Sequence, residues 1–223
     1  MNDCGIQRNR IQIKGRADNE RIFYAKGDKK KLKLILSSSD FGNPESAKFI
    51  HNHLGKPIDE VKVLYFPNEK VTPSKIKSGM YEARLSAFGF QRKNIYVADY
   101  FNPTPYFGVN IDVIYISGGN TFGTMKLIRE AGFDKAIVEY VNKGAVYIGG
   151  SAGAHIATAN IAHVAKYDTG TYGLTDFSGL GLFDGILICH YTEGRKQYFE
   201  ELKASGKYAV IALKDNESII IKD

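Results

Sequence analysis

The residues of this 223-residue chain with the plainest chemical capacity are Gly149-Gly150-Ser151-Ala152-Gly153. A G-x-S-x-G pentapeptide between an apolar strand and a helix forces a tight turn that lifts the serine hydroxyl above the sheet edge. The flanking glycines remove side chains that would clash there. The same turn starts a helix, so the amides of Ala152 and its successors point at an oxyanion forming beside Ser151. The plainer alternative is a glycine-rich turn with a capping serine, or an anion-binding loop. A second glycine loop, Ser117-Gly118-Gly119-Asn120-Thr121, follows the neighbouring strand. Its Gly119 amide is a candidate for the other oxyanion donor. Asn120 is a candidate substrate contact or, like Thr121, a cap on the next helix.

A serine nucleophile needs a base, and the chain has five histidines. His51 and His53 fall on an early helix with polar neighbours and read as surface residues. His155 and His163 lie on or after the helix behind Ser151 and lead away from its hydroxyl. His190 ends the apolar run Gly185 to Cys189, where an open sheet places functional groups, and is the candidate general base. The base needs an orienting acid. Glu217, between two late strands in LKDNESIII, is the first choice; Asp168, in the loop KYDTGTYG, is the second. Either carboxylate can also be read as a plain loop residue. The order serine, histidine, acid differs from the serine, acid, histidine order of α/β-hydrolases and points to another lineage.

These residues must be positioned by a repeating pattern of short apolar runs and amphipathic stretches. Leu32 to Ser37, Val61 to Phe66, Ile95 to Asp99, Ile111 to Ile116, Ala145 to Ile148 and Gly185 to Cys189 read as six strands. Helices are expected from Pro44 to Leu54, over Ser74 to Phe88, over Thr121 to Asn142 with a break near Gly132, after Ser151, and over Glu193 to Ala204. Tyr208 to Leu213 and Ser218 to Ile221 finish the sheet as an expected hairpin. Strands alternating with helices predict a doubly wound α/β fold, a mostly parallel sheet with helices on both faces. The expected domain is 31–223, preceded by an extension over 1–30 with a short strand at Arg21 to Ala25.

Composition excludes several classes. Hydrophobic residues at 43% and charged residues at 24% describe a globular protein rather than a disordered one. No apolar run approaches the roughly 20 residues that cross a bilayer, and the polar start MNDCGIQRNR is not a secretion signal. The net charge of +6 gathers in the first 33 residues, notably Lys26 to Lys33, without aromatic interleaving, so no nucleic-acid partner is expected. Cys4 and Cys189 are too few for a disulfide scaffold or a structural zinc. Both read as free thiols of a cytoplasmic protein.

The segments ISGGNTF, YIGGSAGA, ICHY and DNESI, in this order over roughly residues 31–223, resemble those of the peptidase E group. These are the aspartyl dipeptidase and cyanophycinase relatives of serine peptidase family S51. The resemblance implies a fold similar to class I glutamine amidotransferases and hydrolysis of short peptides, with N-terminal aspartate preferred. It implies Ser151 as nucleophile, His190 as base and Glu217 as acid, with Asp168 an acidic loop residue near the site. Gly119 and Ala152 match the oxyanion-hole positions, and Cys189 replaces a proline common before the family histidine. Arg195 in TEGRKQYF matches a family arginine able to pair with a substrate carboxylate; otherwise it reads as a helix-surface residue. No metal or organic cofactor is implied, and the expected state is a monomer or homodimer. Isoaspartyl or cyanophycin-type peptides are the alternative substrates, and a non-catalytic binding protein of the same fold is the alternative class.

Overall fold

The computed structural model describes residues 12–17, 20–24 and 32–222. Short apolar runs bounded by turn residues become the strands β3 (Lys33–Ser37), β4 (Val63–Phe66), β5 (Ile95–Val97), β6 (Val113–Ile116) and β7 (Val146–Gly150). They pair in parallel in the order β3-β7-β6-β4-β5. Ahead of them in the chain, β1 (Gln12–Ala17) and β2 (Glu20–Tyr24) pair antiparallel. The last strand, β10 (Ser218–Lys222), lies between β2 and β3 and completes an eight-stranded sheet. The strand expected from Arg21 thus ends at Tyr24, while Ala25 and the predicted free thiol Cys4 lie outside the described residues.

Side chains alternate along each strand, so the two faces recruit different helices. Tyr65 and Tyr115 pair across β4 and β6, and their face meets Tyr81 of α3 (Met80–Ala87) and Phe41, just ahead of α1 (Pro44–His53). Phe66, on the other face, stacks edge-on against Phe133, the fully buried first residue of α5 (Phe133–Asn142), at 5.1 Å. Helix α4 (Thr121–Glu130) packs beside it, and α6 (Ala152–Ile156) packs against α4 and β7. This is the doubly wound α/β arrangement.

Three local expectations differ from the structure. The helix over 74–88 is two, α2 (Pro73–Lys77) and α3, because Gly79 takes a left-handed φ of 71° between them. The run Gly185 to Cys189 supplies a three-residue strand, β8 (Ile186–Ile188), outside the main sheet. Its partner is β9 (Val210–Ala212), parallel to it, so β9 and β10 do not form the expected hairpin. Burial explains the separation: Ser218 to Ile221 are all buried, as suits a strand with neighbours on both sides, whereas β9 buries only its middle residue. Helix α7 (Lys196–Ala204) then covers the small sheet.

Candidate active site

Parallel strands deliver their C-terminal ends to one edge of the sheet. There β7 ends in Gly150, and Ser151 turns sharply with φ 48° and ψ −105°, a backbone conformation unfavourable to residues other than glycine. The turn is held because the Ser151 amide donates to Ser37 O at 2.9 Å. Glycine is required on either side. A Cβ on Gly150 would stand 2.2 Å from Asp40 Oδ2, and one on Gly153 would stand 2.0 Å from Ile116 O. The serine hydroxyl is therefore presented upward on a bend that the surrounding backbone compels.

The small sheet supplies the imidazole that faces Ser151 and the carboxylate behind it. Ile188 pairs with Ala212, and the ladder continues through Leu213 N–H to Ile188 O and Tyr191 N–H to Leu213 O, both 2.9 Å. The residues just past these strand ends therefore lie side by side. His190, itself left-handed at φ 52°, points Nε2 at Ser151 Oγ, 2.9 Å away. Its Nδ1 meets Asp215 Oδ1 at 2.5 Å. The acid beside His190 is thus Asp215, and neither Glu217 nor Asp168 occupies that place. Glu217 instead closes the turn, its Oε2 accepting the Lys214 amide at 2.8 Å. Asp168 sits across the site, where Oδ2 accepts the Thr121 amide at 2.6 Å. The His190 and Asp215 side chains are 43% and 68% exposed, so water screens their attraction until something covers them.

The second glycine loop runs alongside the serine. A Cβ on Gly118 would lie 3.4 Å from Ser151 Cβ, while one on Gly119 would strike Asn68 and Glu69. Ala152 is the first residue of α6, where helix amides lack intrahelical acceptors. Asn120 is committed to structure: Oδ1 caps α4 by accepting from Gly123 N–H at 2.9 Å, and Nδ2 donates to Thr169 O at 3.0 Å. Arg195 donates from Nη1 to Cys189 O, and its guanidinium carbon lies 3.8 Å from the Tyr167 ring centroid. It is half-buried against the site rather than spread on a helix surface.

Beneath this layer lie groups with no contact to Ser151 Oγ. His155 receives the Cys189 amide on Nε2 and pairs Nδ1 with Thr121 Oγ1, both at 3.4 Å. Burial, with His163 nearby, holds its imidazole well below the ordinary range, so it stays neutral. Burial pushes the Cys189 thiol up to about 12, which removes it as a nucleophile at neutral pH. Burial also raises the carboxyl of Asp40, packed under Gly150. Among the described residues, no group of three or more His, Cys, Asp or Glu side chains is arranged to hold a metal ion. Asp215 carried a signal in the sequence, a carboxylate two residues before Glu217, but choosing between them required the β8–β9 register.

Comparison with known proteins shows what the chain is similar to. A Listeria monocytogenes protein named as an uncharacterized peptidase is 34% identical over 116 residues, 50% of this chain and 57% of that protein. Peptidase E of Escherichia coli O1:K1 is 36% identical over 91 residues, 39% of each chain. The chain thus spans about half or less of the length of these curated relatives. In fold, it matches the crystal structure of a Listeria monocytogenes peptidase E candidate with a TM-score of 0.67 at 24% identity, covering 86% of this chain and 95% of that one. The sequence model of Peptidase family S51 matches residues 34–223, a span that takes in both glycine loops, the end of β8 and the turn bearing Asp215. The chain belongs to peptidase family S51.

Proposed function

We propose that the protein is a serine peptidase that cleaves short peptides beginning with aspartate. The observation that carries this reading is the line from Ser151 Oγ through His190 to Asp215, with contacts of 2.9 and 2.5 Å. His190 Nε2 takes the hydroxyl proton as Ser151 Oγ attacks the scissile carbonyl. The Ala152 and Gly119 amides receive the oxyanion. As the tetrahedral intermediate collapses, the C–N bond breaks and His190 returns the proton to the leaving amine. A water, deprotonated by His190, then releases the acyl group and restores the serine. Asp215 keeps the proton on Nδ1 and stabilises the imidazolium that forms between these steps.

Arg195 supplies the selectivity in this reading. Its Nη1 is anchored on Cys189 O and its plane rests on Tyr167, which leaves the far edge of the guanidinium to pair with a substrate carboxylate. Membership of a peptidase family and peptidase E relatives support the class of reaction. Cytoplasmic residence accords with the free, buried thiol of Cys189. Among the described residues no helix is long and apolar enough to cross a membrane.

The test is hydrolysis of a dipeptide panel by the wild-type protein and by Ser151→Ala. The wild-type protein is expected to favour aspartate-first over alanine-first substrates. The variant should lose at least about a thousandfold in kcat with its fold intact by circular dichroism. Undiminished hydrolysis by Ser151→Ala would overturn the assignment, and equal rates across the panel would overturn the aspartate preference.

A further inference from the structure

The nucleophile and its base stand on different sheets. Ser151 follows β7 of the eight-stranded sheet, whereas His190 and Asp215 follow β8 and β9 of the separate two-stranded one. Among the described residues no strand ladder joins the two sheets, although the turn bearing Asp215 leads directly into β10 of the larger one. Yet Oγ and Nε2 meet at 2.9 Å, so some other part of the molecule must tie the two sheets together at this edge.

That part is the turn after β3, Ser37-Ser38-Ser39-Asp40. Ser37 O accepts the Ser151 amide at 2.9 Å, and Ser38 Oγ accepts the His190 amide at 2.7 Å. The Ser38 amide donates to Glu217 O at 3.2 Å, at the end of the turn that carries Asp215. One tripod of three short bonds therefore touches the backbones of nucleophile and base and the turn of the acid. The turn itself is rigid. Ser37 Oγ accepts the amides of Ser39 and Asp40 at 3.2 and 2.9 Å, and the buried Asp40 carboxyl accepts from Gly42 N–H at 3.1 Å while wedged under Gly150. Ser38 is fully buried, so bulk water does not compete for its hydroxyl. His163 Nε2 to Leu187 O at 2.6 Å and Ala159 N–H to Gly185 O at 3.1 Å hold the earlier part of β8, but beside His190 the remaining links are longer: Cys189 Sγ lies 3.8 Å from Ser151 O, and Cys189 N lies 3.4 Å from His155 Nε2.

We infer that Ser38 is a positioning residue: its hydroxyl, by holding the His190 amide, keeps the imidazole in line with Ser151. The inference rests on the proposed serine-peptidase reading for its kinetic consequence but not for its structural one. His190 occupies a left-handed conformation that a lone non-glycine residue leaves readily. The Ser38 bond is what closes off the relaxed alternative. Losing it lets the ring swing by a fraction of an ångström, enough to matter for proton transfer but not for substrate binding.

Two variants test this. Ser38→Ala removes the acceptor, and Ser38→Cys keeps the side-chain shape with a somewhat larger and poorer one. In both, kcat and the rate of Ser151 labelling by a fluorophosphonate should fall roughly tenfold to a hundredfold, with KM changed less than about twofold. The low-field Nδ1 proton of His190, assigned by its loss in Asp215→Asn, should shift or broaden. Should Ser38→Ala fail to fold, Ser38→Cys decides alone. Wild-type labelling and an unmoved Nδ1 proton in Ser38→Cys would overturn the inference, as would a fall in kcat matched by an equal rise in KM. A wild-type protein that neither labels nor hydrolyses peptides would overturn the peptidase reading instead. In that case the Nδ1 proton still reports whether Ser38 positions the ring.

Discussion

At the scale of single residues, the site turns on which carboxylate serves His190. Asp215 touches Nδ1, while Glu217 spends an oxygen on the Lys214 amide within the same four-residue turn. The two therefore predict different losses. Asp215→Asn offers Nδ1 an amide in place of a carboxylate and favours the wrong tautomer, so kcat should drop by roughly a thousandfold or more. Glu217→Gln keeps a carbonyl oxygen for Lys214 N–H and should cost less than about tenfold. Steady-state kinetics of the two variants side by side settle it; a larger loss in Glu217→Gln would return the role to Glu217. The serine and the histidine were legible from composition and context alone, one from its glycines and the other from its place at the end of an apolar run. The acid was not, because KDNES offers two carboxylates and only the pairing of Ile188 with Ala212 chooses between them. Ser38 was legible only as a turn residue, since its partner lies 152 positions away.

Elements set what the residues can do, and the elbow shows how. Helix α6 approaches β6 so closely that Gly153 Cα lies against the Ile116 carbonyl, and this contact draws the start of the helix under the serine. A methyl group at Gly153 would stand 2.0 Å from that oxygen, and neither the strand nor the helix can yield without moving Ser151. Gly153→Ala should therefore cost about 3 kcal/mol and most of the activity. Gly170→Ala provides the contrast. Its Cβ would meet nothing within 4 Å, and only its left-handed φ of 72° resists the change. The expected loss there is about 1 kcal/mol. Urea midpoints of the two variants check the difference, and equal losses would show that close packing at the elbow is not what demands glycine. The parallel strands were readable because each is an apolar run flanked by turn residues. What the sequence did not disclose is where the last strands go. Ser218 to Ile221 look like a hairpin partner for the preceding run, yet their burial on both sides draws them between β2 and β3.

For the whole molecule, burial of ionisable groups fixes the pH range over which the fold holds. His155 and His163 are kept neutral by desolvation, below the ordinary value of 6.5. Beneath that value the unfolded chain binds protons that the folded one refuses, so stability falls as the solution is acidified. Asp40 acts in the opposite sense, since its raised carboxyl holds a proton more readily when folded, but it is one group against two. On the alkaline side Cys189 is pushed from 9.0 up to about 12, and Tyr100, Tyr115 and Tyr147 stand well above 10.0. There the folded chain keeps protons that the unfolded chain releases, so stability falls as pH rises past the ordinary value of the thiol. Both limbs have the same origin, the desolvation of groups whose charged forms the core cannot accommodate. The urea midpoint should accordingly be highest near about pH 7 to 8 and lower at about pH 5 and about pH 10.5. Cys189→Ala, which removes the buried thiol just past β8, should delay the onset of the alkaline limb from near 9.0 toward 10.0, where the buried tyrosines take over, while leaving the acid limb unchanged. Midpoints that stay level to about pH 10.5 would mean that the buried thiol and phenols ionise without unfolding the chain. The packing beneath the site would then be looser than the contacts around Cys189 and Tyr147 require.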